Sequence, residues 1–134
     1  MKRQGVDDFK KLRTQIQGVY DELSILSNKS PNDTVNTFKI GFINSLLRDS
    51  NTYLSEKYRP FHSFLEFDLN ELPQNSDVVF MISQYLQCFE RFRADSIVNR
   101  HGGWYWAVEP EKGEQAEEHG FVYLLSTAPE HLKD

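Results

Sequence analysis

The chain has 134 residues, 39% of them hydrophobic and 13% aromatic, with a formal net charge of −5. One domain spanning 1–134 is expected, because a chain of this size can bury roughly two thirds of its unfolded surface in a single core. Its single cysteine, Cys88, excludes an internal disulfide framework, "MKRQGVDDFKKLR" lacks the apolar core of a signal peptide, and no apolar run approaches the about 18 residues of a membrane span, so a cytoplasmic protein is expected.

Phe9, Leu12, Ile16, Val19, Leu23 and Leu26 recur at alternating spacings of three and four, the a/d rhythm of a heptad. That spacing predicts a helix over about 6–27, with Asp7 and Asp8 in its first turn, where they complement the helix dipole. The stripe Phe9, Leu12, Ile16, Val19 and Leu23 suits the inside of a bundle. The same seam could pair with a second copy of the chain, although fewer than about four heptads is short for a free-standing coiled coil.

"SNKSPND" reads as punctuation: Ser30 as N-cap, Pro31 in the first helical position and Asp33 three residues after the cap. A second helix over about 31–57 follows, its apolar face made by Val35, Phe38, Phe42, Ile43, Leu46 and Leu47 and continued by Tyr53 and Leu54. Pro60 ends it, since the residue before proline avoids the helical region. The connection "RPFHSFLEFDLNELPQN" at 59–75 holds Phe61, Phe64, Leu65, Phe67, Leu69 and Leu72, too much apolar surface for a solvated linker. It is expected to pack on the helices with Glu66, Asp68 and Glu71 turned outward.

A third helix over about 76–100 is capped by Asn75 or Ser76, with Asp77 in its first turn. Val78, Ile82, Tyr85, Phe89 and Phe92 give it a stripe, widened by Val79, Met81, Leu86 and Cys88, and Cys88 reads as a small buried hydrophobe. Arg100 and His101 then fall at the negative end of the helix and Gly102 closes it. "WYWAVE" and "FVYLLS" predict strands over about 104–109 and 121–126, a hairpin across the acidic, mobile loop "PEKGEQAEEHG". "TAPEHLKD" reads as a polar tail. The expected fold is mainly α, an antiparallel three-helix bundle with a packed irregular connection and a C-terminal β-hairpin, α+β at that end.

Chemistry-bearing motifs are sparse. "HGGW" at 101–104 is similar to the oxyanion-hole loops of lipases and esterases, but the G-x-S-x-G nucleophile elbow is missing and the chain is too short for that fold. His62, His101, His119 and His131 are scattered, and neither H-E-x-x-H nor a cysteine pair is present. Glu114, Glu117, Glu118 and His119 could gather round a cation, yet a flexible loop lacks the preorganised geometry that metal binding demands. The phosphate-loop motif G-x-x-x-x-G-K-[ST] is also missing. No catalytic, cofactor-binding or metal residue is assigned, and no cofactor is expected.

These absences, with the aromatic content, point to a non-enzymatic interaction module: a subunit, an adaptor or an acidic inhibitor of another protein. Its contacts are expected at Trp104, Trp106, Phe64 and Phe67, because large aromatics commonly carry binding energy. A nucleic-acid reading rests on Lys10, Lys11, Arg13, Arg91, Arg93 and Arg100 forming one basic patch. Against it, residues 104–134 carry seven acids and two lysines. A third reading places a ligand site or an enzyme around the acidic, aromatic 59–75 segment, where carboxyls among aromatic rings are candidates for acid–base chemistry.

Overall fold

A computed structural model of the chain describes residues 1–130, so His131 and the end of the predicted polar tail lie outside the described residues. Three helices, α1 (Arg3–Lys29), α2 (Thr37–Tyr58) and α3 (Asn75–Ser96), are followed by strands β1 (Ile97–Arg100), β2 (Gly103–Val108) and β3 (Val122–Leu125). The helices pack together, helix accounts for 57% of the structure, and the sheet is antiparallel in the order β1-β2-β3. No helix among the described residues is long and apolar enough to cross a membrane. The contacts divide into two compact units: Lys11–Phe89, and Met1–Lys10 together with the chain from Glu90 onward.

In the first unit, α1 contributes Leu12, Ile16 and Leu23 to the interior, α2 contributes Ile40, Ile43, Leu47 and Leu54, and α3 contributes Val78, Ile82 and Tyr85. Helix α1 already begins at Arg3, so Asp7 and Asp8 stand beyond its first turn. The expected helix start at Pro31 is corrected to Thr37. Asn36 is the real N-cap, its side chain accepting from the Lys39 amide at 2.9 Å. Residues 31–35 instead pair with the start of α3: Val35 N donates to Pro73 O, Asn75 N to Asp33 O and Ser76 N to Pro31 O, at 2.8–3.1 Å. Their backbone groups are satisfied across the two linkers, so no helical turn is needed there.

The apolar face expected on α2 is also corrected. Phe38 and Phe42 point to solvent, 74% and 66% exposed, while Asn44, Ser50 and Asn51 are buried beside Ile40, Ile43 and Leu47. The reason is the connection. Asn44 exchanges hydrogen bonds with the backbone of Phe67, at 2.8 and 2.9 Å. One heptad further on, Asn51 donates to Leu65 O at 3.0 Å and accepts from the Tyr85 hydroxyl at 2.8 Å. Irregular backbone can lie against a helix only where such partners replace water.

The connection therefore runs back along α2, past Asn51, then Asn44, to Val35, and returns the chain to the beginning of α2 before α3 starts. Phe61, Phe64 and Phe67 form an edge-to-face row along it. Glu66, Asp68 and Glu71 are exposed as expected, but the segment packs down only in part: Phe61, Phe64, Phe67 and Leu72 are half-buried, while Leu65 and Leu69 are exposed. Burial pushes the Tyr85 hydroxyl above its ordinary range, against the opposing effect of its bond to Asn51.

In the second unit the expected helix to residue 100 stops at Ser96. Ile97–Arg100 turns into a strand and pairs with β2, Ile97 opposite Trp106 and Arg100 opposite Gly103. His101 and Gly102 form the two-residue turn between them, both left-handed at φ 52° and 82°, as a type I′ hairpin requires. Gly102 thus closes a hairpin and not a helix. Gly103 has its own reason: a Cβ there would meet the Tyr105 ring at 2.9 Å. The C-terminal sheet accordingly has three strands, one more than the expected hairpin.

Trp104, Trp106 and Val108 alternate on one face of β2. Trp106, 2% exposed, packs at 5.1 Å from Phe9 and 6.5 Å from Phe92. Below this cluster Arg93 grips Glu90 bidentately at 2.8 Å and also donates to Ser126 Oγ, Thr127 O and Ala128 O. Residues 127–130, the described part of the expected polar tail, are held by that pair. The acidic loop is tied as well: Arg3 binds Glu114 through both guanidinium nitrogens, and Met1 O accepts from Glu109 N at 2.8 Å.

Candidate functional site

The outer face of the sheet carries an open groove of about 460 Å³. Pairing register sets its floor: Val98 and Ala107 are small, and Tyr123 stands directly opposite Ala107. Arg100, at the end of β1, lays its guanidinium 3.7 Å over the Tyr123 ring and donates to Glu118 at 3.1 Å. Glu118 opens the short 3₁₀ turn Glu118–Gly120 just before β3. Phe121, edge-on to Tyr123 at 6.4 Å, adds a second aromatic wall.

Two imidazoles complete the lining, His101 from the β1–β2 turn and His119 from the 3₁₀ turn. Both have left-handed backbone, φ 52° and 60°. The bond from Arg100 holds the Glu118 carboxyl below the ordinary carboxylate range, assisted by the charge of Arg100 and then by His101 and His119. On the far side of β3, Glu117 caps the sheet edge, accepting from Tyr123 N at 3.2 Å through its carboxylate.

Of the four residues expected to contact a partner, one, Trp106, is interior and three, Trp104, Phe64 and Phe67, are half-buried. The heptad stripe of α1 is likewise taken up inside the chain: Phe9, Leu12, Ile16 and Leu23 are buried and Val19 is half-buried. Exposed aromatic surface lies elsewhere, at Phe80 on α3 and at Phe38 and Phe42 on α2, the last two meeting edge-on at 5.1 Å. Their exposure was hidden because their i, i+4 spacing is also that of a core stripe.

Of the candidate basic patch, Lys10, Lys11 and Arg91 are exposed, whereas Arg13 is half-buried and donates to Gln17. Arg93 is committed to Glu90 and to carbonyls and presents no open guanidinium to a phosphate backbone, whereas Arg100 lies over Tyr123 and donates to Glu118 through one nitrogen, facing the groove. In the 59–75 segment Glu66 pairs with Arg48 at 2.6 Å and Asp68 accepts from Asn70 N at 2.8 Å. Among the described residues no three histidine, cysteine or acidic side chains gather to hold a metal. Glu114, Glu117 and Glu118 are each engaged by a different partner, and Cys88 is half-buried. Compared with protein-family models, with curated proteins and with solved structures, the chain matches none.

Proposed function

We propose that this protein is a non-enzymatic interaction module that docks another protein through the outer face of α2. One observation carries the reading: Phe38 and Phe42, one helical turn apart, expose most of their surface while two asparagines occupy the inside of the same helix. Two adjacent exposed phenylalanines have no role in holding this unit together, and in water they favour cover by apolar surface. Spaced i, i+4, they are the anchors of a helix that lies in a partner's groove.

The partner is a protein with an apolar pocket and a basic rim. Ser45, Asp49 and Thr52 continue the exposed stripe beyond Phe42, the neighbouring Arg48 is paired with Glu66, and the whole chain carries −5. Complementary charge would steer association while the rings supply the affinity.

The test compares the full chain with a Phe38→Ser/Phe42→Ser variant, which removes no buried contact and is expected to keep its unfolding midpoint. A photo-crosslinking residue at position 38 should trap one partner in the native host, and the purified pair should bind with an affinity that the double variant lowers at least tenfold. Binding that persists in high salt supports aromatic docking, whereas a steep salt dependence points to phosphate contacts. A partner that binds both forms equally rules this face out. Wild-type chain that sediments as a dimer, with the variant a monomer, makes the occupant a second copy.

A further inference from the structure

We infer that the groove on the outer face of the sheet is a binding site for a phosphate monoester with a planar organic part, of the mononucleotide class. The inference starts from the two histidines. A non-glycine residue with positive φ costs about 1 kcal/mol or more, and glycine or asparagine fills such positions at less cost. His101 and His119 both adopt it, at φ 52° and 60°, in two turns that are separate in sequence and line the same groove. Neither turn needs an imidazole for its geometry. Among the described residues neither ring has a hydrogen-bond partner, so what the side chains offer is donors turned to the groove.

Arg100 stands between them. It carries five N–H donors, and Glu118 engages it through one nitrogen. Glu118 is a weak tenant, its side chain 63% exposed against 18% for Arg100. A phosphate could take its place with two oxygens on the guanidinium and the third toward an imidazole, because charge-assisted bidentate pairs are the stronger ones. The carboxylate would swing into water as the anion arrives.

The rest of the groove suits the organic part. Val98 and Ala107 give a flat apolar floor, and Phe121 and Tyr123 wall it with aromatic surface on which a base can stack. A volume of about 460 Å³ lies in the range of small-molecule sites and would admit one nucleotide.

The test is a calorimetric titration of the full chain with adenosine monophosphate, and with adenosine and inorganic phosphate separately. Saturable binding of the nucleotide is expected, with either half alone at least tenfold weaker. Glu118→Gln should tighten binding by vacating Arg100, and Arg100→Gln should weaken it at least tenfold. His101→Asn/His119→Asn relieves the strained turns, so it should melt at the same or a higher temperature while binding at least tenfold more weakly. That combination separates loss of the site from loss of the fold. No heat of binding at millimolar nucleotide, equal affinity for phosphate alone, or unchanged affinity in the double histidine variant would each overturn the inference.

Discussion

Asn44 and Phe67 exchange two hydrogen bonds, the side-chain amide donating to the Phe67 carbonyl at 2.9 Å and its oxygen accepting the Phe67 N–H at 2.8 Å. A helix side chain here does what a neighbouring strand would do. Asn44→Ala removes both bonds and leaves a part-buried amide and carbonyl without partners. The expected cost is about 2–4 kcal/mol, from two bonds of about 1 kcal/mol each plus the desolvated groups left behind. Urea denaturation reads the loss, and hydrogen exchange at the Phe67 amide localises it. Unchanged protection at that amide would show that the clamp is not what holds the connection.

How far the fold could be read from the sequence follows from the same pair. Hydrophobic patterning located all three helices and the strands β2 and β3, because each must cover an apolar stripe or face. It misassigned the α2 face, because phenylalanine at i, i+4 looks like core and asparagine looks like surface. Asn44 and Asn51 are interior because of backbone 23 and 14 residues further along the chain, in a connection whose course no local spacing encodes. Ile97–Arg100 reads as the end of a helix because it follows α3 at Ser96 with no intervening residue to break the pattern. The available signal was "RHGG", a two-residue turn with glycine second, ahead of an aromatic strand. The groove was less legible still: His101 and His119 meet only once β1 exists.

Arg93 and Glu90, i, i+3 on α3, resemble a solvated pair in sequence but are each only about a tenth exposed. Arg93→Met strands the Glu90 carboxylate among buried groups and frees the carbonyls of Thr127 and Ala128. Breaking a buried pair from one side costs about 3–5 kcal/mol. Glu90→Leu/Arg93→Met should recover much of that, since matched apolar replacements of buried pairs are often neutral. Thermal unfolding of the three proteins checks the order, and a double variant no better than the single one would show that the bonds to residues 126–130 dominate.

Ser55 sits inside the last turns of α2 with φ 61° and ψ −179°, a region that is essentially reserved for glycine. It breaks the helix before Arg59, which is extended ahead of Pro60. Ser55→Gly should therefore raise stability by about 1 kcal/mol, the reverse of what glycine does within a helix. Gly18 provides the contrast. It lies exposed in the middle of α1 with nothing within 4 Å of a built Cβ, so Gly18→Ala should also stabilise, by roughly 0.5–1 kcal/mol. If Ser55→Gly destabilises the protein, the turn is held by the serine side chain and not merely tolerated.

Acid should release the loop between β2 and β3 in a defined window. Glu114 is held below the ordinary glutamate value by its bond from Arg3, then by the Glu111 amide and by the charge of Arg3; Glu118 is held down by Arg100. A carboxyl lowered in the folded state favours folding above its unfolded value, and that contribution fades as pH falls through the lowered one. The loop contacts should therefore be complete at neutral pH and weaken only below about 4.5, the ordinary value. Both carboxylates are exposed, so salt should shrink the effect by screening. Amide shifts of Glu111, which donates to Glu114 at 3.0 Å, and of Gly120 beside the groove report the two contacts separately. The Glu111 signal should survive Arg100→Gln unchanged, while Arg3→Gln should move its acid transition up in pH, toward the ordinary carboxylate range. A Glu111 amide that titrates identically in both variants would mean that neither arginine sets the position of this loop.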